Sequence, residues 1–410
     1  MKMILVEKHD FTKNSRHFEE LDLMCKKSKD LYNATLYCVR QHFFKTRDET
    51  GHGKYLSFYE VNRQSKEIMY DSYIALPAKV AQGTQKLVDQ NFKSFFALLK
   101  KKDKKARIPR YLDKDGRQVV QFTKQAISFN NRNVPNGYIR LSGLSFLIKT
   151  KVKSVQAARI VPKKGYIAVE ILYEIKDEPI VENDRYASID IGVDNLASVT
   201  SNVFRPFIIN GKPVKSINHY YNKKLAKLQS KYRNRTNRMN SITRKRNNKI
   251  SDYMHKASRM IVNHLAENCI GTLIIGYNKG FKQDTNMSTR NNQNFVQIPF
   301  LKFINMLTYK CALKGISVVL TEESYTSKCS FLDNDYIPVY GETDDLFNPS
   351  GKRVKRGLYT SKSGKLINAD INGSYNIMRK YLTKQGVWNE QIRSNCIEVC
   401  STPSVFTVKQ

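Results

Sequence analysis

Beyond residue 186 the succession of strand-like and helix-like segments leaves few folds open. Three short apolar strands follow one another at 187–191, 196–200 and 206–210. A long helical region at 215–267 comes next, then a strand at 272–276, a helix at 299–314 and a strand at 316–321. After an irregular insert, a last helix runs from about 371 to 382. Pro299 in the first turn and Gly315 just past the end frame the helix between them. A β-β-β-α-β-α-β-α order joins an antiparallel strand set to a parallel sheet carrying helices.

That order is the pattern of the ribonuclease H-like fold, and two acids fall at telling places in it. The segment Ala187-Ser-Ile-Asp-Ile-Gly-Val-Asp-Asn-Leu-Ala-Ser-Val-Thr200 reads as an apolar strand carrying Asp190, a turn at 192–195 and a second strand. A carboxylate in an otherwise buried strand is costly unless compensated, and a metal ion is the usual compensation. Asp370 stands at the N-terminus of the last helix. Turn capping for Asp190 and helix capping for Asp370 are the plainer alternatives. Together the two acids point to a divalent-metal phosphodiesterase centre.

Charge narrows the substrate. The 410 residues carry 70 Lys and Arg against 36 Asp and Glu, a formal net charge of +34. Such an excess attracts polyanions, nucleic acid before an anionic membrane. No run approaches the roughly 18 apolar residues that span a bilayer, so no membrane partner is expected. From Lys212 to Arg259 there are fifteen basic residues and one acid, Asp252, interleaved with apolar positions. That argues for a folded helix pair with one basic face. The seven cysteines are scattered without a C-x-x-C pair, as in a reduced cytoplasmic protein.

Upstream, residues 1–14 open with a strand, and residues 15–102 show helical spacing studded with aromatics such as Tyr32, Tyr37, Phe92 and Phe96. Residues 117–176 change to a period-two pattern with turns at Pro135-Asn-Gly137 and Lys163-Lys-Gly165. They are expected to form a β-barrel completed by the N-terminal strand. The charged stretch 176–185 reads as a linker.

At this point the chain resembles TnpB, the RNA-guided DNA endonuclease of insertion sequences, related to the type V CRISPR effectors. The resemblance rests on Asp190-Ile-Gly192, on Asp370-Ile-Asn-Gly-Ser-Tyr-Asn376, on His255-Lys-Ala-Ser-Arg259 and on Glu323-Ser-Tyr-Thr-Ser-Lys328. Tyr32-Asn33, 92–96 and Ile108-Pro-Arg-Tyr111 match upstream. It implies a multidomain α+β protein: a wedge barrel (1–14 and 105–180) with an inserted helical recognition domain (15–104). A RuvC nuclease domain (186–323 and 370–395), a ribbon-like insert (324–369) and a tail (396–410) would follow. The implied partners are a structured, transposon-derived guide RNA and double-stranded target DNA. The implied cofactor is a pair of Mg²⁺ ions, or Mn²⁺, about 4 Å apart. The implied setting is the cytoplasm, in a bacterium or encoded by a mobile element.

Two departures qualify the resemblance. Where the family closes a strand with glutamate, this chain has Ile275-Gly-Tyr-Asn278. Either the nuclease is dead and the protein binds DNA as a guided repressor, or the acid has moved to the next strand, which ends in Thr321-Glu-Glu323. In a sheet ordered 3-2-1-4-5 the extra gap is about 4.8 Å, within the reach of a Glu side chain. Glu323 is preferred to Glu322, giving an expected ligand and catalytic set of Asp190, Glu323 and Asp370. Second, the family's four zinc-ribbon cysteines correspond to Ser330, Asp333, Thr360 and Ser363 here, so no zinc is expected.

Overall fold

The computed structural model describes residues 2–49, 53–278, 289–339, 341 and 347–408. They form two compact units, Lys2–Ile175 and Lys176–Gln410.

The first unit contains β1 (Lys2–Thr12), α1 (Phe18–Lys45), α2 (Phe58–Ile68), α3 (Tyr70–Ile74), α4 (Ala78–Lys100), β2 (Val120–Thr123), β3 (Ile127–Asn131), β4 (Val134–Leu141), β5 (Ile148–Lys149), β6 (Val155–Lys163) and β7 (Tyr166–Lys176). The strands make a four-stranded sheet, β1-β7-β6-β2, and a three-stranded sheet, β3-β4-β5. The N-terminal strand thus joins the β unit beside β7, as its pattern suggested. Helix α1 buries Leu21, Met24, Ser28, Leu31 and Thr35, and α4 buries Val80, Thr84, Val88 and Phe92, at three- and four-residue spacing. Two upstream motifs meet in this unit. The Asn33 side chain donates to the Leu112 carbonyl and accepts from the Leu112 N–H, both at 2.9 Å. Arg40 donates to the Pro109 carbonyl and lies over the Tyr111 ring. Of the aromatics, Tyr32 and Phe92 are buried, while Tyr37 and Phe44 are exposed.

The second unit contains β8 (Tyr186–Asp190), β9 (Asn195–Ser201), β10 (Phe207–Asn210), α5 (Lys212–Gln229), α6 (Asn237–Glu267), β11 (Thr272–Gly276), α7 (Thr289–Gln297), α8 (Phe300–Ala312), β12 (Ser317–Thr321), β13 (Lys352–Lys355), β14 (Leu358–Thr360), β15 (Leu366–Asn368), α9 (Ala369–Lys384), α10 (Glu390–Val399) and β16 (Ser404–Phe406). The main sheet runs β12-β11-β8-β9-β10-β16. β8, β9 and β10 pair antiparallel, and β11 pairs parallel with both β8 and β12. The five strands β12-β11-β8-β9-β10 reproduce the expected 3-2-1-4-5 order. The long helical region is two helices, and Thr236 caps the second by accepting the Met239 N–H.

Period-two alternation assigns the sheet faces. Ala187, Ile189, Leu273 and Ile275 pack into one core with α6 and α8, whereas Ile274 packs with α9. Ser188 also turns to α9. It donates to the Ser374 carbonyl at 2.7 Å, and the Ser374 hydroxyl donates back to the Ser188 carbonyl at 3.1 Å. Small residues let the helix approach: a Cβ on Gly373 would stand 3.0 Å from Oδ2 of Asp190.

Residues 396–410, expected as a tail, are only partly one. Helix α10 continues through Cys396 to Val399, and Ser404–Phe406 pairs parallel with Phe207–Ile209 as a sixth strand. Three residues are too short a run to show a strand period, so this edge was invisible in the sequence.

The insert forms a three-stranded sheet, β13-β14-β15. Three of the four positions read as replaced cysteines take part in hydrogen bonds at its base. Asp333 accepts from the Ser350 hydroxyl at 3.0 Å and from the Lys362 N–H at 2.7 Å, and its own N–H goes to the Ser330 hydroxyl. Ser363 bonds to the Ser361 hydroxyl, and Asp335 bridges the Ser330 and Ser350 N–H groups. Burial opposes ionisation of Asp333, but the Ser330 bond and the other donors hold its carboxyl below the usual range. A depressed carboxyl stabilises above its unfolded pKa and loses that stability as pH falls. Asp333→Ala should therefore destabilise the second unit by about 1–3 kcal/mol in thermal melts at pH 7. The deficit should shrink below pH 4, where the parent weakens as well.

Candidate active site

The three expected acids stand on three elements of the second unit. Asp190 ends β8, Glu323 lies two residues past β12, and Asp370 is in the first turn of α9. Asp190 shares the sheet face of Ser188 and so points toward α9. The residue is half-buried, with its carboxyl packed against Gly373 of α9. Burial, then the charges of Glu323 and Asp370, push it up to about 8, with Arg353 acting in the opposite direction. Burial, followed by the charge of Glu322, pushes Glu323 up to about 7.

The Glu323 carboxylate crosses the intervening strand. A Cβ built on Gly276, the last residue of β11, would lie 2.6 Å from Oε2 of Glu323. Because β11 lies between β8 and β12, this acid has reached one strand inward toward Asp190. Glu322 is used differently. Its carboxylate takes the Lys380 ammonium and the Ser324 N–H, and these hold it below the usual range against the opposing effect of burial.

Asp370 is half-buried and already has partners. Asn195, the first residue of β9, donates to Oδ2 at 2.6 Å, and Arg353 on β13 pairs with Oδ1 at 3.2 Å. Its helix is capped by Asn368, which accepts the Asp370 and Ile371 N–H groups. Asp370 is therefore not itself the N-cap. Arg356, from the same hairpin, pairs with Asp194, which also holds Lys215. The basic stretch Lys352-Arg-Val-Lys-Arg356 thus turns two arginines to acids beside the site.

Sequence reasoning missed Asn195, Arg353 and Lys380, because each contact joins separate elements and no local pattern marks it. The only signal was local: Arg353 sits in a basic run, and Asn195 in a turn. Asn278, at the position of the missing glutamate, accepts the Glu323 N–H at 3.1 Å.

Among the described residues, no three acidic, histidine or cysteine side chains form a metal-binding group as they stand. The donor set nevertheless fits a hard divalent cation. It consists of carboxylate oxygens, and Asp190 among them carries like-charge repulsion that a cation would relieve.

Comparison with known proteins bears on the domains and the fold. The OrfB_IS605 family, described as a probable transposase, matches residues 170–282. The Cas12f1-like TNB domain matches residues 300–377. A CRISPR-associated endodeoxyribonuclease Cas12f2 from Micrarchaeota archaeon (strain CG1_02_47_40) is 28% identical over 232 residues, covering 53% of this chain. The match spans 41% of that relative's length. A cryo-EM structure of a Cas12f1-sgRNA-target DNA complex shares the fold with a TM-score of 0.51 at 15% identity, over 88% of this chain and 82% of that one. In its two domain matches, its relative and its fold, this chain is similar to TnpB-like proteins and the type V CRISPR effectors.

Proposed function

We propose that this chain is an RNA-guided DNA endonuclease that hydrolyses target phosphodiesters with Mg²⁺ or Mn²⁺ next to a short flanking motif. The observation that carries the reading is the reach of Glu323 over Gly276 toward Asp190, on a sheet of the expected order. Asp190, Glu323 and Asp370 would hold the cation. When bound, the metal supplies an activated water and stabilises the leaving 3′-oxygen. Asp190, fixed at a strand end against α9, is the rigid member of the set. Asp370, at the surface and paired to Arg353, is the member that must exchange partners. Residues 2–175 would serve as the wedge and recognition parts that hold guide RNA and read the flanking motif, with pairing to the guide selecting the target. The guide would come from a transposable element, and the protein would work in the cytoplasm.

A second reading, a cleavage-dead guided repressor, is favoured by the Arg353–Asp370 pair, which already neutralises one acid. One experiment separates the two. Protein purified from its native locus is expected to carry a structured RNA and to cut matching DNA. Asp190→Ala and Asp370→Ala should each abolish cutting and keep target binding within about threefold in gel-shift assays, since the acids hold metal rather than phosphate. RNA-free protein of normal stability would refute the guide. A parent that binds guided target without cutting it would establish the repressor.

A further inference from the structure

Two residues outside the acid set fix where Glu323 points. The β11–β12 ladder ends at the Gly276–Thr321 rung, followed by a bond from the Tyr277 N–H to the Thr321 carbonyl at 2.9 Å. Past that point the chain leaves the sheet, and Glu323 has no ladder partner to hold it. Its N–H instead goes to Oδ1 of Asn278 at 3.1 Å. Its carbonyl accepts the Thr326 hydroxyl at 2.8 Å and the Thr326 N–H at 3.3 Å. Both peptide groups of this acid are therefore tethered, one of them by the side chain at the position where the family has glutamate.

Gly276 acts through empty space. It is a strand residue without a positive φ, so its backbone admits any side chain. A Cβ there would stand 2.6 Å from Oε2 of Glu323 and 2.6 Å from Cδ1 of Ile377. Both are far ends of flexible side chains, so the fold can yield to a methyl group while the carboxylate is displaced. A carboxylate reaching across a strand needs that strand bare where it crosses.

We infer that Gly276 and Asn278 are positioning residues for the Glu323 carboxylate, Gly276 by leaving its path open and Asn278 by anchoring its backbone. The inference rests on the Glu323 assignment proposed above. It explains jointly why this chain has Gly-Tyr-Asn at the end of β11 and an acid two residues past β12.

The test uses the full chain with its bound RNA. Mn²⁺ binding is followed by electron paramagnetic resonance, with Asp190→Ala as the blank that subtracts RNA-bound metal, and cleavage is measured beside it. Gly276→Ala and Asn278→Ala should each weaken site-specific Mn²⁺ binding about tenfold, the usual loss when a supporting partner of a ligand is removed. Half-maximal cleavage should move to correspondingly higher Mn²⁺, with melting temperatures near the parent's. Asn278→Asp, which keeps the acceptor oxygen, should bind Mn²⁺ as the parent does or more tightly. If Gly276→Ala melts early, adding Ile377→Val relieves the second contact and leaves the carboxylate alone in question. Parent-like Mn²⁺ binding in both alanine variants, with binding lost in Glu323→Gln, overturns the inference and leaves the Glu323 assignment standing. Parent-like binding and cleavage in Glu323→Gln removes that assignment, and the inference with it.

Discussion

Glu323→Gln is expected to lower guided cleavage by about a thousandfold, while Glu322→Gln stays within about tenfold of the parent. The amide keeps the shape of the side chain and loses the charge that would hold a cation. A loss of roughly 4 kcal/mol of metal-borne transition-state stabilisation corresponds to that factor. Adjacent residues at a strand end diverge, and here the divergence is explicit. The Glu323 carboxylate lies over Gly276, whereas Glu322 is held by Lys380 and the Ser324 N–H. Single-turnover cleavage of guided duplex by the two variants decides the matter. Losses of equal size would show that both carboxylates serve the metal, and a reversed order would move the ligand to Glu322.

The second large effect is on stability, and it is measured without metal. Burial raises Asp190 to about 8 and Glu323 to about 7, so the folded chain keeps protons that the unfolded chain releases above about pH 4. The unfolded state binds fewer protons across that interval, so stability falls as pH rises from about 4 to about 8. Asp190→Asn removes the larger share. At pH 8 in chelator its melting temperature should exceed the parent's by roughly 5 °C or more, with the gap narrowing toward pH 4. Adding Mg²⁺ should restore the parent and leave the variant unmoved. A variant less stable than the parent at pH 8 would mean that the Asp190 carboxylate is compensated by the protein itself.

Much of the second unit was legible because its strands are short, apolar and bounded by clear turns. A charge in such a strand stands out, which is why Asp190 could be singled out from one sequence. That an acid past the next strand can reach over toward Asp190 was also readable, since sheet order and strand spacing are generic. The partners of the acids were not readable. Arg353 belongs to a run of basic residues, and no local pattern separates the one that meets Asp370 from those facing solvent. The parallel edge strand at Ser404–Phe406 was likewise hidden: its three residues are exposed, and their order comes from Phe207–Ile209.

Asn372 and Asn376 lie in the same short motif as Asp370, yet the helix turns them inward. Asn372 accepts the Phe331 N–H and donates to the Cys329 carbonyl, and Asn376 donates to the carbonyls of Thr326 and Cys329. Both are fully buried. An activity screen would score all three positions as a single catalytic block. Two of them are instead fasteners for the root of the insert, and variants there would lose function by letting residues 326–331 come loose. Their loss should show as new protease cuts near the insert, whereas Asp370 variants should resist digestion like the parent.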